Sequence, residues 1–119
     1  MATVSIIQAA YSDPGIENLL APLGGMGQFI KKNENVLLKV NLLSAKAPEK
    51  AVTTHPEFVR AVARAVRDAG GEPYIGDSPG GSLSRRSLKK AYQRSGLMNL
   101  AQAEQTPLKL DTGVTVKLV

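Results

Sequence analysis

The segment from Val36 to Gly81 constrains this chain more than any other part of it. It runs Val-Leu-Leu-Lys-Val-Asn, crosses a polar loop ending Val-Thr-Thr-His-Pro-Glu, and enters a helix-period stretch to Ala69 that Gly70-Gly71 stops. A short strand from Pro73 to Ile75 follows, then the loop Gly76-Asp77-Ser78-Pro79-Gly80-Gly81. Strand, helix, strand is the unit of a parallel sheet, with a crossover that is nearly always right-handed. Both strands then finish at one edge of the sheet. Ligands of open α/β sheets bind outside that edge, beyond the carboxyl ends of the strands. Lys39, Asn41, Thr53, Thr54, His55, Asp77, Ser78 and Gly80 fall at or near it, and they are the candidate ligand-binding residues.

Val36 to Leu43 is the strongest strand, apolar apart from Lys39 and Asn41, as expected where helices cover both faces. Alternation places Leu37, Lys39 and Asn41 on one face and Val36, Leu38 and Val40 on the other. A lysine inside such a run is costly to bury charged. It must reach a carboxylate, an anionic ligand or the open end of the sheet, or else snorkel to solvent. The loop from Leu42 to Val52 is longer than the usual connection of a few residues, and long loops here are often functional.

In the helix from about Pro56 to Ala69, Phe58, Val59, Val62, Ala63 and Val66 make an apolar face. Arg60, Arg64 and Arg67 lie opposite and read as a solvated face. Two starts compete: His55 as cap with Pro56 first in the helix, or a capping box of Thr54 and Glu57. Either leaves backbone amides aimed at the strand edge, where an anion is favoured. His55 is the single histidine and has no cysteine beside it, so no zinc pattern exists and no metal site is expected. His55, Lys39 and Asp77 are the candidates for catalytic work, His55 as a proton carrier. The glycine-rich loop after Ile75 suits a phosphate or carboxylate, but its spacing is neither a P-loop nor a dinucleotide fingerprint.

Around this unit, Thr3 to Ala9 reads as an opening strand, and Asp13-Pro14 as the cap and first position of a helix ended by Gly24, Gly25 and Gly27. A helix from Ser84 to about Ser95 carries Arg85, Arg86, Lys89, Lys90 and Arg94 with no acidic residue, over a narrow apolar stripe of Leu88, Ala91 and Tyr92. Pro107 to Leu110 and Val114 to Val119 read as strands of a hairpin about Asp111-Thr112-Gly113. The expected fold is therefore a layered α/β domain over residues 1–119, with a mainly parallel sheet of four or five strands. Helices from Pro14, Pro56 and Ser84 flank it, and the C-terminal hairpin closes it.

No apolar run approaches the roughly 20 residues of a membrane span, and the first residues lack the pattern of a signal peptide. A cytoplasmic setting without a membrane partner is expected. The absence of cysteine rules out disulfides and thiolate-held clusters in this chain. A net charge of +5 favours anionic partners, an acidic neighbour in a longer polypeptide included. Aromatic residues make up 4% of the chain, too few for a stacking surface, so nucleic acid is not the expected partner.

The segments Leu37-Leu38-Lys39-Val40-Asn41-Leu42, Ala51-Val52-Thr53-Thr54-His55-Pro56-Glu57 and Ile75-Gly76-Asp77-Ser78-Pro79-Gly80 resemble the domain-of-unknown-function 362 family. Some of its members are labelled iron–sulfur proteins. The resemblance covers nearly the whole chain, with Val40 where the family often has proline. It implies that this chain is the N-terminal piece of a longer protein, whose remainder is its first partner and the place for any iron–sulfur cluster. It also groups Lys39, Asn41, Thr53, Thr54, His55, Asp77 and Ser78 into one site without assigning roles. The expected function is an anionic small-molecule site at the strand ends, in a larger redox-associated protein or enzyme. The alternative is a docking or regulatory module that binds a protein or nucleic acid through the basic helix 84–95.

Overall fold

The computed structural model describes residues 1–42, 44–77 and 84–110. In chain order these form α1 (Ile16–Leu20), β1 (Asn35–Lys39), α2 (Pro56–Asp68), β2 (Glu72–Gly76), α3 (Arg85–Arg94) and α4 (Leu97–Ala103). Strands β1 and β2 pair in parallel, Val36 opposite Pro73 and Lys39 opposite Gly76, with α2 as the crossover. The strand–helix–strand unit read from the sequence is present.

The sheet is smaller than expected. Among the described residues it has two strands, not four or five. Pro107–Lys109 lies along the free side of β2 as a single parallel bridge, Ile75 to Leu108. Ile75 N donates to Pro107 O and Lys109 N to Ile75 O, both at 2.8 Å. The hairpin expected around residues 111–113, with its second strand, lies outside the described residues. Thr3 to Ala9 is not a strand: Val4 and Ile6 stand 80% and 86% exposed, without the partner that a strand needs among the described residues.

Alternation along β1 holds. Leu38, Val40 and Leu42 are buried, while Leu37 is 45% exposed and Lys39 and Asn41 face solvent. Among the described residues, the expected helical cover on both faces is thus found on one. There α2 packs Val59, Ala63 and Val66 into a core with Leu38, Val40 and Ile75, which Leu88, Tyr92, Leu97 and Leu100 complete. Gly71 enters β2 at a point where an added Cβ would stand 2.7 Å from Ile30 Cγ2.

At the N-terminal side, α1 is capped by Gly15 in the left-handed region, not by Asp13, and lasts five residues before Pro22 tightens the next turn. Gly24, with φ +95°, closes that turn as the terminator expected of it. Helix α4 is an element that the sequence reading lacked. Gly96 ends α3 as expected, and its φ of +82° also turns the chain into α4.

The largest departure concerns α2. Arg60 and Arg64 reach Glu104 at 2.8 Å, and Arg67 donates to Gln105 O and Thr106 Oγ1, at 3.3 and 2.6 Å. This face is a clamp onto the end of α4, not a solvated surface. The Arg64 guanidinium bonded to Glu104 holds that carboxyl below its usual range.

Candidate functional site

The carboxyl ends of β1 and β2 meet in a small polar network. Asp77, the residue after β2, has a side chain only 4% exposed. Its Oδ1 accepts from Lys39 Nζ and its Oδ2 from Leu42 N, both at 2.8 Å. One carboxylate therefore ties the tip of β2 to two points of the chain leaving β1. The Lys39 side chain remains 66% exposed. Both ways of keeping this lysine charged are used together: it reaches solvent, and it meets a carboxylate.

The loop before α2 is stitched to the same place. Thr54 Oγ1 accepts from Asn41 N at 2.9 Å, and Thr54 N donates to Asn41 O at 3.2 Å. The Asn41 carboxamide is exposed and donates to Val52 O at 3.4 Å. Thr53 is buried, 6% exposed, and its hydroxyl has no partner among the described residues. The bonds of Thr54 decide between the two starts of α2. Its hydroxyl is spent on β1, and His55 is the cap, with Nδ1 accepting from Glu57 N at 3.1 Å.

This cap changes the site. Pro56 has no N–H, Glu57 N is bonded to the His55 ring, and Phe58 N and Val59 N donate to His55 O. The amides expected to welcome an anion at the start of α2 are already satisfied. With Nδ1 accepting, the neutral His55 ring carries its proton on Nε2 and offers a donor there. The ring stacks on Tyr11, centroids 3.8 Å apart and planes 10° apart, a contact that no residue pattern announces. Tyr92 of α3 lies fully buried near Asp77, and its phenol is pushed up to about 12 by burial, with the Asp77 charge adding to the rise.

The structure thus brings Lys39, Asn41, Thr54 and Asp77 into one connected edge, with Thr53 and His55 adjoining Thr54 in the chain. Ser78 and Gly80 lie outside the described residues. Among the described residues no three of His, Cys, Asp or Glu gather as a metal site would need. A concavity of about 820 Å³ opens at the opposite end of the strands, around Asn35, Gly71, Glu72 and Pro107. None of the candidate residues lines it.

Chemically, the edge offers an ammonium with one of its three protons given to Asp77 and an exposed carboxamide, and His55, next to Thr54 in the chain, carries an imidazole N–H. These are groups for holding an anion. Nδ1 of His55 is committed to the helix, so a proton carried by this residue would pass through Nε2.

A family model described as a domain of unknown function (DUF362) matches residues 36–117. The thylakoid-associated protein sll1697 of Synechocystis sp. (strain ATCC 27184 / PCC 6803 / Kazusa) is 39% identical over 111 residues, which cover 89% of this chain and 33% of that protein. The chain spans about a third of that relative's length. No solved structure matches it significantly.

Proposed function

The chain belongs to the DUF362 family, and we propose that its strand-end edge binds an anionic small molecule within a larger redox-associated protein or enzyme. The observation that carries this reading is Lys39. Its ammonium stands 66% exposed at the carboxyl edge of a parallel sheet, oriented by Asp77. Asn41 and the Nε2 donor of His55 supply neutral hydrogen bonds from the adjoining loop. Any iron–sulfur cluster belongs to the rest of the longer polypeptide, since this chain has no cysteine. Calorimetry with inorganic phosphate and phosphate-bearing metabolites tests the site. Lys39→Gln should weaken binding about tenfold, the scale of one charge-assisted hydrogen bond. Binding unchanged by Lys39→Gln removes the reading.

A second reading, a docking module, is favoured by α3. Arg85, Arg86, Lys89, Lys90 and Arg94 are exposed, and none has an ion pair among the described residues. The relative's name ties that protein to the thylakoid, which supports a docking role at a membrane for this chain. No helix among the described residues is long and apolar enough to cross one.

A further inference from the structure

We propose that the exposed face of α3 docks on the surface of an anionic lipid bilayer, a partner that rests on the docking reading above. Leu88, Ala91 and Tyr92 point into the core, so the helix is anchored by its apolar stripe. At 100° per residue, Arg85, Arg86, Lys89, Lys90 and Arg94 then spread over about half its circumference.

The arrangement opposes the stability of the helix itself. Arg85–Lys89, Arg86–Lys90 and Lys90–Arg94 are like-charged pairs four residues apart, which repel. Arg85 and Arg86 sit in the first turn, where the helix dipole disfavours cations, and no acidic residue offsets them. Five cations held together against this repulsion have a use when a polyanion faces them.

The character of the face selects the polyanion. Its exposed positions carry cations, Gln93 and serine, with no aromatic ring to stack on a base and no apolar anchor for a protein pocket. A headgroup plane asks for charge alone, and each nearby Lys or Arg then contributes about fivefold in affinity. The expectation of no membrane partner came from the missing span. Peripheral attachment needs none.

The test is co-sedimentation of the chain with phosphatidylcholine vesicles containing roughly 30% phosphatidylglycerol, against phosphatidylcholine alone. The chain should bind the anionic vesicles only, and release as salt shortens the Debye length. Lys89→Gln with Lys90→Gln should weaken binding about 30-fold. Lys31→Gln with Lys32→Gln, an equal change in net charge on an exposed turn, should leave it within about twofold, with circular dichroism confirming that both variants fold. Equal losses in the two pairs overturn the assignment to α3. Binding to oligonucleotides but not vesicles overturns the lipid partner and leaves the docking reading standing. Binding to neither overturns the lipid partner and leaves only a protein partner to the docking reading.

Discussion

Replacing Asp77 by alanine unties the strand ends, and the structure sets the size of the effect. Leu42 N loses its acceptor, and Leu42 is 1% exposed, so that amide has little access to water in compensation. A hydrogen bond to a charged group contributes about 1.5–3 kcal/mol. The ion pair to Lys39 adds about 0–1 kcal/mol, since the lysine is largely solvated. Asp77→Ala should therefore cost about 1.5–4 kcal/mol, whereas Lys39→Ala should cost about 1 kcal/mol or less. Urea unfolding reads both, with an unchanged slope showing that the transition remains comparable. Equal costs for the two substitutions would refute the reasoning, because Asp77 would then act only through its ion pair. Function adds an opposite sign: Asp77→Asn removes the carboxylate competing for Lys39, so phosphate affinity should rise while stability falls.

Other outcomes follow from local geometry. His55→Ala should lose about 1 kcal/mol with the cap and weaken anion binding, whereas His55→Asn should keep the cap and the fold but still bind weakly; normal binding by His55→Asn would make His55 a cap alone. Gly71→Ala should cost about 1–3 kcal/mol by thermal unfolding, because the new methyl would lie 2.7 Å from Ile30 Cγ2 and 3.0 Å from Val66 Cγ1. Glu104→Gln should lower the melting temperature near neutral pH by loosening the α2–α4 clamp. The folded Glu104 carboxyl is held below its ordinary 4.5 by Arg64, so its contribution is present above that value and lost as pH falls through the folded pKa. The gap between wild type and variant should close in acid, and a gap that widens there would reverse the sign of the clamp.

Much of this could be read from residue patterns, where one element decides its own form. The period of Phe58 to Val66 announced α2, and alternation along Val36 to Asn41 separated the two faces of β1, though the structure buries the Leu38 and Val40 face where cover on both was expected. The pairing of Lys39 with Asp77 was legible as a need, since a lysine in an apolar strand wants a carboxylate or water, and it has both. What escaped depends on distant partners. The arginine face of α2 looks solvated until α4 brings Glu104 back across a separation of 40 residues or more. Leu97, Leu100 and Ala101 have helical spacing, but the run is seven residues long and packing is needed to hold it. Thr3 to Ala9 has strand-forming residues but no strand beside it among the described residues, so its propensity is not realised there. Topology brought the candidate residues to one strand edge, while the closing of the α2 amides by His55 depended on which of two caps won.

The most direct test of the anion site is a chemical-shift titration of the chain with inorganic phosphate, following the Lys39 ammonium and the amides of residues 39–42 and 53–55. Saturable shifts at Lys39, Asn41, Thr54 and His55, with α3 unmoved at the same concentrations, are the result predicted. Shifts confined to Arg85 through Arg94, with Lys39 still held by Asp77 and unchanged, would contradict it.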